Sequence, residues 1–259
     1  MRTFCNQLFV VLVTALACGP AAGNTDQCVP PNENWVAVSK VDANHTVHLE
    51  DGRKLRVRAL VVPPLPRNEK DAAARRAAAD ASSFLHKLLD GKKVTFSHPQ
   101  DPDRHNRIAA HIFVMGNEPA WLQQSMLAAG HGRISGEAAP CIDDLRASEA
   151  KARTAGLGLW AEPAYRVRKA APPGELFRLE NTFQIVEGQV LTRAETKRTV
   201  YLNFGKDWHK DFTIAIRNRD IPTIDLDGAK VRVRGWVMLR NGPLIEVRSP
   251  GQLKILRKP

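Results

Sequence analysis

The chain has 259 residues and carries 38 Lys and Arg against 27 Asp and Glu, a formal net charge of +11. That length exceeds what one compact domain needs, and beyond the N-terminal leader no apolar run approaches the length of a membrane-spanning helix. A basic balance points to an anionic partner: nucleic acid, another polyanion or an anionic envelope surface. It does not choose among them.

Residues 1–23 have the layout of a secretory signal peptide: one basic residue (Arg2), the apolar core "LFVVLVTALA", then small residues around Ala21–Gly23. Acylation of Cys18 is a second option for the same segment. Cleavage leaves two cysteines, Cys28 and Cys141. In an exported chain, secreted or periplasmic, an even pair is expected as a disulfide.

Charge divides the rest. Residues 24–165 hold 18 Lys and Arg against 17 Asp and Glu, and residues 166–259 hold 19 against 10. Between them "RVRKAAPPGE", residues 166–175, has linker chemistry, because its prolines and glycine stop helix and ladder alike. Two domains are expected, the second with a net charge of +9.

In the first, "WVAVSKV", "TVHLE" and "KLRVRALV" alternate as strands, with an Asp51-Gly52 turn between the second and third. The alanine-rich segment ending "SSFLHKLLDG" is a helix stopped by Gly91. "KKVTFSH" and "RIAAHIFV" supply two more strands, and "PAWLQQSMLAAG" and "IDDLRASEAKARTAG" two more helices. In the third helix Leu145, Ser148, Ala152 and Ala155 mark the expected inner face. Five strands with helices define an α+β domain built on a small closed barrel.

The segments "EDGRKLRVRALVVPP", "ADASSFLHKLLDGKKVTF", "DRHNRIAAHIFV", "WLQQSMLAAGHGRI" and "DLRASEAKARTAGLGLW" resemble, in order, the staphylococcal-nuclease (thermonuclease) family across residues 35–160. The resemblance implies a calcium-dependent phosphodiesterase site. Two Asp would hold the metal, one Glu would activate water, and two Arg would stabilise charge on phosphorus. Arg56 and Arg107 match the arginines. His45 and Val61 stand at the metal-ligand positions and Pro64 at the general base. Calcium needs six or more oxygen ligands, and Val61 and Pro64 offer none. The first domain is therefore expected to be a degenerate nuclease that keeps a phosphate-gripping pair.

Other readings compete for these residues. The arginines could instead pair with Glu50 and Asp103. Asp42 could swing into a shifted metal site. His45, His48, His105 and His111 lack the spacing of a zinc site. No cofactor is expected.

Residues 176–259 alternate as five strands, "FQIVEGQVLTR", "TVYLNFG", "DFTIAIR", "AKVRVRGWVML" and "GPLIEVR", with turns at Asp227-Gly228 and Asn241-Gly242. This pattern fits a Greek-key barrel of the oligonucleotide-binding type. It resembles the module that follows exported thermonuclease-like domains. Tyr201, Phe204, Trp208 and Trp236 are candidate stacking residues, and Arg217, Arg219, Arg232 and Arg234 candidate charge donors. Phe204 and Trp236 also fit a core, and Arg232 and Arg234 a solvated strand face. Trp208, flanked by Lys206 and Lys210, is the most exposed candidate. The expected function is binding of nucleic acid or another polyanion. An active phosphodiesterase with an altered metal site and an envelope structural protein are the alternatives.

Overall fold

The computed structural model describes residues 28–31, 34–65, 72–207, 209–217, 220–223 and 226–259. The leader segment, Cys18, Trp208 and Arg219 lie outside the described residues.

The first half is built on strands β1 (Val36–Val41), β2 (Val47–Leu49), β3 (Lys54–Val57), β5 (Lys93–Ser97) and β6 (Ile108–Val114). The tight Asp51-Gly52 turn works because Gly52 takes φ 87°, a left-handed conformation that costs glycine nothing. β1 pairs with β2, β2 with β3, β3 in parallel with β6, β6 with β5, and β5 with β1. The ring closes, so this is a five-stranded barrel. Short strands β4 (Leu60–Val61) and β8 (Arg133–Ile134) pair beside it, and β7 (Ala120–Trp121) pairs antiparallel with β6.

Helix α1 (Ala72–Leu89) buries Ala74, Ala77, Ala78, Ala81, Leu85 and Leu89. These positions recur at helical spacing, and the stripe packs Leu85 and Leu89 into the barrel core and Ala74, Ala77 and Ala81 against Leu159 and Tyr165. Helix α2 (Leu122–Ala128) is sewn to the sheet by Gln123. Its Oε1 accepts from Ile112 N at 3.1 Å, and its Nε2 donates to Ala110 O at 2.9 Å. Helix α3 (Ile142–Thr154) has Asp143 and Asp144 in its first turn and Lys151 and Arg153 in its last, matching the helix dipole. Its buried residues are Leu145, Glu149 and Ala152. Ser148 and Ala155 do not belong to the inner face; a carboxylate does. Leu55, Leu85, Leu89, Ile112, Phe113, Leu122 and Leu145 fill the core between barrel and helices.

Cys28 and Cys141 form a disulfide across 113 residues, tying the N-terminal arm to the cap of α3.

The stretch 166–175 is not a bare linker. Arg168–Lys169 forms strand β9, parallel to β10 (Phe183–Gln189), and residues Pro173–Leu179 make a 3₁₀ segment. The backbone hydrogen bond from Ala170 N to Glu187 O overrides the local breakers.

The second half contains β10, β11 (Thr192–Glu195), β12 (Val200–Asn203), β13 (Thr213–Ile216), β14 (Lys230–Leu239), β15 (Pro243–Val247) and β16 (Leu253–Arg257). The run expected as one strand over 183–193 bends at Val190–Leu191. Its β10 part pairs with β14 and its β11 part with β12. With β12–β13, β13 parallel to β15, and β15–β14, the sheet curls back on itself. The order of runs is that of the first barrel, including the parallel contact between third and fifth. β16, unforeseen from the sequence, pairs with β14. Leu202, Phe212, Ile214, Ile216, Val231, Val233 and Ile245 form this half's own core.

The two halves meet closely. Arg133 Nη2 donates to Phe183 O at 2.6 Å, and Arg234 reaches α3. Gly136, at φ 86°, lies so near the 250–252 turn that an added Cβ would stand 2.8 Å from Gln252 Cα. A Cβ on Gly251 would stand 2.7 Å from Gly136 O.

Candidate nucleic-acid interface

Arg56 and Arg107 lie at the parallel β3–β6 seam. Arg56 is in register with Ala109, two residues after Arg107. Neither guanidinium is without a partner. Arg56 Nη1 donates to Glu137 Oε2 at 3.0 Å, and Arg58 Nε lies 3.7 Å from Glu137 Oε1. Arg58 also fixes that loop by donating to Ala138 O at 2.9 Å, while Ser135 Oγ accepts from Glu137 N at 3.2 Å. Arg107 is held by Asp103 through Nε at 2.9 Å and Nη2 at 2.7 Å. The Arg107 hydrogen bond keeps the Asp103 carboxyl far below its ordinary range. The partner of Arg56 is Glu137 rather than Glu50, 81 residues along the chain and invisible to local patterning.

Calcium does not fit the residues present. Val61 and Pro64 bring no side-chain oxygen. His45, at φ 60°, has its Nε2 3.3 Å from Ser82 Oγ. Burial, reinforced by His86, pushes His45 below its ordinary pKa. Asp42 does not swing in as a substitute ligand. Its oxygens accept from Asn44 N at 2.9 Å and Thr46 N at 3.0 Å, and lie 3.0 Å from His48 Nε2. Burial alone would raise the Asp42 pKa, but these bonds outweigh it and hold it at about 2. Among the described residues no group of three or more His, Cys, Asp or Glu is placed to hold a metal. His48 pairs with Asp42, His105 is exposed, and His111 is fully buried among His98 and Trp121.

In the second half, Tyr201 and Asn203 alternate with the buried Leu202 and so share the sheet's outer face. Tyr201 is in register with the small Ala215, and Asn203 with Thr213. A cavity of about 540 Å³ there is lined by Tyr201, Asn203, Thr213, Arg217, Arg240 and Asn241. A second, of about 520 Å³, opens on the other side of the same strands, where Val200 and Ile216 lie, and is lined also by Arg193, Glu195, Lys197, Arg198 and again Arg217. Arg217 thus joins both. Its side chain is half exposed, with Nε 3.4 Å from Glu246 Oε1.

Of the other candidates, Phe204 is core, stacked at a tilt on Phe212. Arg232 is paired with Glu187. Arg234 is not on a solvated face, since it is buried against Glu149. Trp236 is 49% exposed rather than core. Lys206 and Lys210 are exposed in the turn before β13, with Lys210 Nζ 3.5 Å from Asp207. Arg193, Lys197, Arg198 and Arg240 were not singled out by sequence. Their signal was available, since each sits in or beside a turn flanking a strand of the expected barrel.

Both halves are thus oligonucleotide-binding-type sheets, the first closed and carrying three helices. Residues 36–162 match the family described as Staphylococcal nuclease homologue. A curated relative, an uncharacterized protein of Bacillus anthracis, is 29% identical over 115 residues. The match covers 42% of this chain and 52% of the relative, about half its length.

Proposed function

We propose that this is an exported protein that binds single-stranded nucleic acid on the outer face of β12–β13 and does not cleave it. The observation that carries this reading is the cavity on that face, where Arg217 and Arg240 flank Tyr201 and Asn203 beside the 240–242 turn. Small barrels of this type take oligonucleotides on the face of their second and third strands. Tyr201 supplies a stacking surface, Arg217 and Arg240 supply charge beside it, and Lys197 and Arg198 add charge at the turn before β12. The +9 balance of residues 166–259 concentrates the attraction in this half.

The first half supports the non-catalytic reading. Its retained arginines are already neutralised by Glu137 and Asp103, and the metal and base positions lack the needed oxygens. Without a poised base alone, general-base catalysis loses about 10²–10⁴-fold. Export is supported by the leader-like N-terminus and by the disulfide, which persists in oxidising compartments.

The test is fluorescence anisotropy of labelled single- and double-stranded DNA and RNA against the whole protein, with parallel digestion assays in calcium, magnesium, zinc and chelator. Tight, salt-sensitive single-strand binding without digestion is expected. Chelator-sensitive cleavage, or no binding at low salt, would overturn the proposal.

A further inference from the structure

A cavity of about 570 Å³ lies between the two halves, away from the β12–β13 face. The first half contributes Val61, Pro63, Pro64, Leu65, Arg133 and Tyr165 to its wall. The second contributes Arg178, Asn181, Phe183, Gln184 and Trp236. Neither Arg56 nor Arg107 lines it, so this is not the phosphate position implied by the arginine pair.

Its chemistry is uneven in an informative way. Trp236 offers an exposed indole at this cavity, steadied edge-to-face by Phe183 at 6.0 Å. Prolines and Leu65 give an apolar surface. Gln184 is 4% exposed and its Oε1 has no donor among the described residues. Arg133 is 2% exposed, lies over the rings of Tyr165 and Phe183, and has no acceptor for Nε and Nη1 among the described residues. Glu149, the buried carboxylate whose charge acts on it, is taken up by Arg234. Buried polar groups are normally satisfied, so an unmatched acceptor and two unmatched guanidinium N–H groups behind the wall of one cavity point to a ligand that meets both after a small side-chain shift. Arg178, exposed at the same cavity, adds further positive charge against the single lining acid Glu180.

We infer that this inter-barrel cavity binds a nucleotide, with its planar base against Trp236, a ring or exocyclic N–H toward Gln184 Oε1, and its phosphate toward the Arg133 and Arg178 charges. The volume is within the 300–1,000 Å³ range of small-ligand sites. The inference builds on the nucleic-acid reading and adds a second, separate site. Two sources share this chemistry: the end of a bound strand and a free nucleotide.

The experiment titrates the whole protein with nucleoside 5′-monophosphates, the matching nucleosides and inorganic phosphate, following tryptophan fluorescence. A labelled single strand serves as competitor. Saturable quenching by monophosphates is expected, weakened about fivefold or more by Trp236→Ala, a change at an exposed side chain. Arg178→Glu should weaken monophosphates and leave nucleosides unaffected. Displacement of the labelled strand by monophosphate assigns the site to a strand end, and co-binding without displacement assigns it to a free nucleotide. If the strand binds but monophosphates do not, and Trp236→Ala changes nothing, the cavity inference fails while the β12–β13 reading stands. Phosphate binding as tight as nucleotide binding would also overturn it. Loss of all strand binding would instead remove the β12–β13 reading.

Discussion

Arg234 and Glu149, 85 residues apart, form a bidentate ion pair buried between the two halves, at 3.0 and 2.9 Å. Glu149 Oε1 also accepts from Ile134 N at 2.8 Å, and Arg234 Nη1 donates to Ile134 O at 3.0 Å. Removing one partner strands a buried charge. Glu149→Ala or Arg234→Ala should each lower the unfolding free energy by about 3–5 kcal/mol, read from urea denaturation. A paired replacement by leucine and methionine should cost clearly less than either single change.

Phosphate-contacting charge should be concentrated in the second half. Arg217→Ala should weaken single-strand binding by roughly tenfold and flatten the salt dependence by about 0.7 in log–log slope. Arg56→Ala and Arg107→Ala should change affinity by about twofold or less, because each guanidinium is hydrogen-bonded to a carboxylate, whereas the half-exposed Arg217 lies 3.4 Å from Glu246. Salt titrations of the three variants by anisotropy decide the matter.

His111 predicts a pH effect. It is fully buried in β6, and burial, with help from Arg58 and His98, pushes its pKa down to about 4. The unfolded chain binds the proton at the ordinary value of 6.5 and the folded one resists it to about 4. Stability from neutral His111 is therefore full above pH 6.5 and lost as pH falls toward 4, by up to about 1.4 kcal/mol per unit. Urea midpoints between pH 7 and 4 should show this slope, and His111→Leu should reduce it.

The disulfide closes a loop of 113 residues. In the chain-entropy model such a cross-link contributes about 4–5 kcal/mol. Cys28→Ser with Cys141→Ser, or added reductant, should lower the denaturation midpoint accordingly. Intact folding stability after reduction would refute that value.

Digestion assays should show no calcium-stimulated hydrolysis. The single variant Val61→Asp should not restore it, since one carboxylate cannot assemble a calcium shell and Pro64 still lacks a proton acceptor. Chelator-reversible cleavage by either protein would contradict this.

The first barrel was legible because its strands alternate cleanly and its helices carry apolar stripes at local spacing. What was hidden depended on contacts between the halves. On β14, Val231 and Val233 face the core, and Arg232, Arg234 and Trp236 share the other side. Local pattern reads the arginines as solvated and the tryptophan as core. In the fold α3 covers Arg234, while Trp236, two residues on, emerges at the inter-barrel cavity. Glu149 escaped notice for the reciprocal reason: nothing near it in sequence announces a partner 85 residues away. β16 was missed because its residues are partly or wholly exposed and follow a Pro250-Gly251 turn. The fate of Arg56 was likewise set by Glu137, which the alternation of β3 does not reveal.

The backbone contact at Gly136 and Gly251 has a mechanical meaning. At this point the halves approach main chain to main chain, with no side chain on either glycine to compress or rotate, so the contact is a stiff one. A polymer touching both the β12–β13 face and the inter-barrel cavity must bend to the halves so joined, because a stiff contact does not bend to it. A single strand does so easily. A duplex, with a persistence length of about 150 base pairs, resists. Preference for single strands would then come from the bending stiffness of the ligand, with base and sugar chemistry secondary.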